Sequence, residues 1–117
     1  GALQDAARSP CALCRAPVSG FSTLSVSKAA LESFIRALAA EVGPLGVRVN
    51  AVEASLTETD NSAVVPNRQP EALIEWIPLR RLGKPNDVAG AVTFLASELS
   101  SLVNGATIPV NGGQIMY

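Results

Sequence analysis

Apolar residues recur at helical spacing through residues 25–46, which places them on one face of a helix. The residues on this face are Leu31, Phe34, Ile35, Leu38 and Val42. Ser25 or Ser27 is suited to cap the start of the helix, and the Gly-Pro pair at 43–44 ends it. The pattern therefore predicts a long first helix that buries one apolar stripe.

A second helical stripe lies within residues 84–105, where Val88, Val92 and Leu95 share a face. Either Asn86 or Asp87 lies near the start of this helix. Residues 55–83, between the two stripes, contain three prolines and have a mixed character. We predict that they form a long excursion with one short helix inside residues 70–77.

Two short apolar runs predict strands. Residues 47–52 are rich in valine and suit a strand that is buried on both faces except at Arg48 and Asn50. Residues 106–110 predict a closing strand, which a glycine-rich tail follows. A strand, a helix and a strand in succession favour parallel pairing with a right-handed crossover. This order is typical of the back end of an α/β layer, but a parallel sheet needs more than two strands.

Residues 1–20 show neither the strand period nor the helix period, and Pro10, Pro17 and Gly20 interrupt them. We therefore predict an irregular N-terminal segment over residues 1–20 and one partial α/β domain over residues 21–117. With 48% hydrophobic and 16% charged residues, the composition is typical of a folded chain.

Charge and hydropathy exclude two classes of partner. The net charge is −1 and no basic block occurs, so the chain lacks the electrostatic footprint of a nucleic-acid-binding protein. No apolar run approaches the length of a membrane span, and no signal peptide is recognisable. We expect a soluble, cytoplasmic protein with no membrane partner.

The chain contains no histidine, which excludes Ser-His and Cys-His catalysis and removes the usual zinc ligands. Cys11 and Cys14 form a CxxC pair. A redox pair needs a preceding strand and a helix N-terminus beneath it, whereas the flanking residues here indicate a loop. We interpret both cysteines as incidental thiols and expect no metal site.

Three stretches carry a family resemblance: residues 27–52, 78–98 and 104–113. In this order and spacing they resemble the C-terminal half of the short-chain dehydrogenase/reductases, especially the 3-oxoacyl-[acyl-carrier-protein] reductase-like members, from about Leu24 to Gly113. The resemblance implies the C-terminal portion of a Rossmann-like doubly wound parallel sheet, with its front half absent. That half holds the glycine-rich loop through which the family binds NAD or NADP, and no stretch of this chain matches the loop.

The resemblance also implies where the family's chemistry would lie. In the family a tyrosine is the general acid/base, a lysine one helical turn later lowers its pKa and holds the ribose, and a serine polarises the substrate carbonyl. Lys28 matches the lysine, but Leu24 occupies the tyrosine position and cannot transfer a proton. The only tyrosine is Tyr117, and the residues around Ser9 do not match those of the family serine.

A second family motif reads Asn-Ala-Val, then Pro-Gly, then threonine, and its turn lies against the nicotinamide. Asn50 and Thr59 match the motif, whereas Ala54 and Ser55 replace the Pro-Gly. By resemblance, Lys28, Asn50 and Thr59 are the residues that would contact NAD or NADP. The side chain at Ser55 is expected to obstruct the cofactor or the turn itself.

Each of these residues also has a structural interpretation. Lys28 is then a solvated lysine, Thr59 a helix cap and Asn50 a strand or turn residue. A basic cluster of Arg80, Arg81 and Lys84 could meet an NADP phosphate or lie in a solvated loop.

Three functional hypotheses remain at this stage. The chain is a truncated, catalytically impaired oxidoreductase homologue, or a non-catalytic interaction protein that forms homo-oligomers or pairs with a full-length family member. The third hypothesis is an enzyme that recruits its cofactor across a dimer and uses another acid. The sequence specifies no substrate and does not distinguish NAD from NADP.

Overall fold

A computed structural model describes residues 20, 22–58 and 70–116. Their helices and strands are α1 (Ser22–Val42), a 3₁₀ turn (Gly43–Leu45), β1 (Ala51–Ala54), α2 (Pro70–Glu75), α3 (Pro85–Ala96), a second 3₁₀ turn (Glu98–Ser100) and β2 (Thr107–Val110). The predicted order of long helix, strand, short helix, helix and strand is confirmed. Among the described residues no helix is long and apolar enough to cross a membrane.

The two strands form a parallel sheet, as predicted. Ala51 pairs with Thr107 at one end, and Ala54 pairs with Val110 at the other. The N–H of Ala51 donates to the carbonyl of Ala106 (2.8 Å), and the N–H of Ser55 donates to the carbonyl of Val110 (3.1 Å). Because a parallel ladder uses alternate residues of each strand, every second residue directs its backbone groups away from the partner strand.

The first strand begins later than the sequence predicts, at Ala51 rather than at residue 47. Side chains satisfy the backbone groups just before it. The N–H of Val49 donates to Asn104 Oδ1 (2.9 Å). The Asn50 amide donates to the carbonyl of Val103 (2.9 Å) and accepts from the N–H of Ala106 (3.0 Å). These bonds replace ladder bonds, so regular pairing starts only beyond Asn50.

Helix α1 begins three residues earlier than predicted, so neither Ser25 nor Ser27 is its cap. Ser27 lies inside the first turns, and its hydroxyl donates to the carbonyl of Leu24 (2.8 Å). The alanine-rich sequence favours helix throughout this stretch. The predicted apolar stripe divides in two: Ile35, Leu38 and Val42 are half-buried, whereas Leu31 and Phe34 are 47% and 59% exposed.

Helix α1 is attached to the sheet at its C-terminal half. Asn104 Nδ2 donates to the carbonyl of Ala39 (3.1 Å), and Ala39 is buried. A Cβ on Gly105 would lie 3.4 Å from the Ala39 Cβ, so the chain entering β2 passes close to the helix. The long helix is therefore held beside the start of β2.

Helix α3 connects the two strands and starts where the sequence predicts. Pro85 is its first residue, and Asp87 accepts a hydrogen bond from the N–H of Lys84 (2.7 Å). Val88 and Leu95 are half-buried as expected, but Val92 between them is 51% exposed. Only part of the predicted stripe is covered within the described residues.

Candidate functional site

Leu24 and Lys28 lie one turn apart on α1, and both are half-buried on the same face of the helix. This confirms the local geometry on which the family comparison depends. The side chain one turn before the lysine is aliphatic, so it offers neither a donor nor an acceptor there. Tyr117 and Ser9 lie outside the described residues.

Asn50 has a structural place in the described chain. Its amide nitrogen and oxygen bind the backbone of Val103 and Ala106, next to the contact between Asn104 and Ala39. Lys28 lies roughly 16 Å further back along α1 than Ala39, since an α-helix rises about 1.5 Å per residue. Asn50 thus lies beside the C-terminal half of α1, and its contact with NAD or NADP stays a prediction. Thr59, Cys11 and Cys14 lie outside the described residues.

Ser55 does not distort the turn after β1, contrary to one of our expectations. Arg80 is the one described non-glycine residue with a positive φ, so the backbone at Ser55 needs no glycine. Ser55 is 9% exposed, and its carbonyl accepts from the Thr57 hydroxyl (3.0 Å). The following residues are held by Gly83, whose N–H donates to the carbonyl of Leu56 (2.9 Å).

The two arginines of the basic cluster, Arg80 and Arg81, form contacts within the protein. Arg81 forms two hydrogen bonds with the Asp87 carboxylate, of 2.7 and 2.9 Å. These bonds from Arg81, and then the N–H of Lys84, hold the pKa of Asp87 well below its usual range, and the same pair raises the pKa of Arg81. Arg80 has a φ of 56° and donates to the carbonyl of Glu75 (3.0 Å).

A cleft of about 510 Å³ lies beyond the carboxyl ends of both strands. Ligands of open parallel sheets commonly bind at this end, and the volume is within the usual range for small molecules. Its lining residues are Ser55, Pro78, Leu79, Arg81, Gly83, Asp87, Pro109, Val110, Asn111, Gly112, Gly113 and Met116. The ionisable side chains among these described residues are Arg81 and Asp87, which bind each other, so neither is available as an unpaired acid or base.

The two glycines after β2 shape this cleft. A Cβ on Gly112, whose φ is 61°, would lie 2.6 Å from Ile77 Cγ2. The carbonyl of Gly112 accepts from the N–H of Leu79 (3.1 Å). Buried Asn111 accepts from the N–H of Gly113 (3.0 Å) and donates to the carbonyl of Ile115 (3.0 Å). The tail therefore fits against the segment after α2 because it has no side chains at the contact.

Sequence reasoning noticed Arg48 only as an exception in a strand. In the structure its guanidinium donates to the carbonyl of Leu95 (2.9 Å), the carbonyl of Val103 (3.3 Å) and the Ser100 hydroxyl (2.9 Å). It thus satisfies backbone acceptors at the end of α3. A single arginine in a valine-rich run was the available signal, but its partners lie about 50 residues away and no local pattern names them.

Comparisons with known proteins agree with this architecture. The family model described as enoyl-(acyl carrier protein) reductase matches residues 12–114, and so reaches further upstream than the resemblance read from the sequence. The 3-oxoacyl-[acyl-carrier-protein] reductase FabG of Pseudomonas aeruginosa is 47% identical over 97 residues, which are 83% of this chain and 39% of that protein. The human dehydrogenase/reductase SDR family member 4 is 40% identical over 99 residues, which are 83% of this chain and 36% of that protein.

A solved structure shows the same arrangement. The short-chain dehydrogenase/reductase described as a glucose/ribitol dehydrogenase from Brucella melitensis superposes with a TM-score of 0.81 at 33% identity. The superposition covers 90% of this chain and 42% of that protein. The chain thus spans about two fifths of the length of the relatives that it matches.

Proposed function

Because this chain belongs to the short-chain dehydrogenase/reductase family, we propose that it is a catalytically impaired homologue of the family's C-terminal half. Its 117 residues do not transfer a hydride between NAD or NADP and a carbonyl substrate by themselves. The observation that carries the proposal is Leu24, which occupies the position one helical turn before Lys28 on the same half-buried face. Leucine has no hydroxyl, so the side chain at that position cannot protonate a developing alkoxide.

The described residues also fit a dinucleotide poorly. The Asn50 amide is already bound to Val103 and Ala106, and Arg81 is bound to Asp87. When bound, the cofactor supplies the hydride, and the protein must position it against the substrate. Lys28 is the remaining described residue matched to the family site, and one ammonium on a helix face does not by itself position a dinucleotide.

The first experiment measures cofactor binding and turnover on the folded chain. Trp76 is 45% exposed and lies within the described region, so its emission can report energy transfer to NADPH or NADH. A 3-oxoacyl thioester serves as substrate, because the Pseudomonas relative is named as a 3-oxoacyl reductase. We expect neither saturable binding nor turnover. Turnover by the unaltered chain would refute the proposal.

A chimera separates the effect of the missing nucleotide-binding loop from the effect of leucine at the tyrosine position. The residues of the Pseudomonas relative that precede the matched segment are fused to this chain, with Leu24, Leu24→Tyr or Leu24→Phe. The fusion supplies a nucleotide loop, so we expect NADPH binding in all three and turnover only with tyrosine, by roughly 10²-fold or more over phenylalanine. Equal turnover with leucine and tyrosine would show that Leu24 is not the defect.

An interaction protein is the second candidate, and one observation favours it. The α1 side chains Leu31 and Phe34 and the α3 side chain Val92 belong to the apolar stripes of their helices, yet each is about half exposed. An apolar stripe on a helix is normally covered by other parts of a protein. Size-exclusion chromatography with light scattering tests this candidate, since a monomer at all concentrations, alone and with a full-length relative, counts against it.

A further inference from the structure

We propose that the cleft beyond the carboxyl ends of β1 and β2 binds a small neutral aliphatic molecule that accepts a hydrogen bond from the Ser55 hydroxyl. This binding goes beyond the catalytic impairment proposed above and does not depend on it. Leu24 and Lys28 are not among the described residues that line the cleft.

Ser55 supplies the polar group of the site. It follows β1 directly, lines the cleft and is 9% exposed. Its N–H donates to the carbonyl of Val110 (3.1 Å), and its carbonyl accepts from the Thr57 hydroxyl (3.0 Å). Within the described part of the chain its own hydroxyl forms no hydrogen bond. A buried hydroxyl costs free energy unless a partner binds it, and a molecule in the cleft is placed to do so.

This hydroxyl is a departure from the family motif. The motif has the glycine of Pro-Gly at this position, whereas this chain has serine. Ser55 has no positive φ, so the turn requires neither glycine nor a special side chain here. The serine therefore adds a hydrogen-bonding group to a wall where the family has no side chain at all.

The rest of the wall is mostly apolar. Leu79 and Met116 line the cleft although they are 66% and 76% exposed, and Pro78 and Pro109 line it beside them. Pro109 pairs with Glu53 in the ladder, so the sheet holds it in place. An aliphatic ligand would remove these side chains from water, which is the main favourable contribution to binding in such a site.

The charges of the cleft favour a neutral ligand. Arg81 and Asp87 bind each other through two hydrogen bonds, of 2.7 and 2.9 Å, and together contribute no net charge. A ligand carboxylate would have to displace Asp87 from Arg81 or lie beside it as a like charge. An uncharged acceptor such as an ester oxygen requires neither.

The test titrates methyl octanoate into the folded chain in the absence of NADPH and NADH. This ester has an aliphatic body and uncharged acceptors, and it has no ketone to accept a hydride. Trp76, next to buried Ile77, reports binding by fluorescence, and calorimetry gives the stoichiometry. We expect saturable binding of one molecule per chain with a negative heat-capacity change, because apolar surface is buried. Octanoate should bind roughly tenfold more weakly, and equal or tighter binding of octanoate would overturn the inference.

Ser55→Ala tests the hydroxyl. We expect the affinity for methyl octanoate to fall about fivefold, as for the loss of one uncharged hydrogen bond. The melting temperature should stay the same or rise, because the folded chain loses a buried hydroxyl that has no partner among the described residues. A serine with a merely structural role would lower the melting temperature instead. Unchanged affinity in a folded Ser55→Ala would overturn the inference.

Leu79→Glu tests the apolar wall, and Leu102→Glu is its matched control. Both side chains are exposed, at 66% and 97%, but only Leu79 is among the residues that line the cleft. We expect a loss of affinity of roughly tenfold or more for Leu79→Glu and none for Leu102→Glu. Equal losses in the two variants would indicate adsorption to exposed apolar surface and would overturn the inference.

The absence of saturable binding to the unaltered chain would also overturn the inference, and it would leave the catalytic proposal intact. Turnover of a 3-oxoacyl thioester in the separate cofactor assay would refute the catalytic impairment. Binding of methyl octanoate, measured without a cofactor, would then still stand.

Discussion

At the scale of single residues, Arg48 connects the most distant parts of the described chain. It lies just before β1 and donates hydrogen bonds to Leu95, Ser100 and Val103, which flank the turn between α3 and β2. Ser100 is fully buried and accepts one of these bonds. Removing the guanidinium would leave partly buried carbonyls without a donor, which costs more than a typical surface contact contributes.

Arg48→Met tests this role, since the methionine keeps much of the side-chain volume and removes every donor. We expect the free energy of unfolding to fall by about 2–3 kcal/mol. The measurement is the urea midpoint at constant slope. Arg36→Met is the matched control, because the Arg36 side chain is 57% exposed and pairs with Glu32 one turn away. We expect this variant to change the free energy of unfolding by no more than about 0.5 kcal/mol. Equal losses in the two variants would contradict the role.

The Arg81–Asp87 pair predicts a pH dependence. Its two hydrogen bonds lower the pKa of Asp87, so the pair stabilises the folded state fully above about pH 4, the ordinary range of an aspartate. The stabilisation is lost as the pH falls toward the lowered pKa. Asp87→Asn should therefore unfold at a lower temperature than the parent at pH 7, with the difference shrinking below about pH 4.

The control for this prediction is Glu98→Gln. It makes the same change of charge at an exposed residue in the 3₁₀ turn after α3. We expect its melting temperature to follow that of the parent from pH 7 to pH 3. A constant difference for Asp87→Asn over the whole range would show that helix capping alone explains the effect.

At the scale of elements, the tail after β2 fixes the segment after α2. Gly112 packs against Ile77, which is 1% exposed, and a Cβ would approach the Ile77 side chain to 2.6 Å. The close approach explains why a strand end and a distant loop form one wall of the cleft.

Gly112→Ala should lower the free energy of unfolding by about 1–3 kcal/mol, because the added methyl group overpacks the contact at a left-handed backbone position. Gly90→Ala is the matched control. Gly90 lies in α3 with no atom within 4 Å of an added Cβ, so we expect stabilisation of about 0.5–1 kcal/mol. Chemical denaturation measures the free energy of unfolding of both variants. An unchanged free energy for Gly112→Ala would mean that the tail does not hold the segment after α2.

The helices and the parallel pairing could be predicted from local pattern, but the strand start could not. Apolar spacing over 25–46 and 84–105 is a property of neighbouring residues, and so is the one-turn spacing of Leu24 and Lys28. The start of β1 depends on Asn104, which lies 55 residues beyond Val49. The cleft is likewise formed by the end of β1, the loop before α3 and the tail. These segments are distant in sequence, so no local pattern predicts that they meet.

At the scale of the whole molecule, burial is unevenly distributed. The fully buried apolar side chains of the described residues are Ala39 and Ile77, whereas Leu45, Leu99 and Leu102 are 77–97% exposed. A sheet of two strands covers too little area to bury every apolar stripe that its helices present. The apolar side chains that stay exposed are therefore more than this two-stranded sheet and its helices cover in the described part of the chain.

Pro109 has a consequence for how far any assembly can grow. A pair of strands that accepts a further strand at both edges can add copies indefinitely and form cross-β fibres. A pair that accepts a strand at one edge alone stops growing after the first addition. Pro109 takes one of the two outward backbone donors from β2 and leaves that of Thr107, so it disfavours fibre-like growth at this edge.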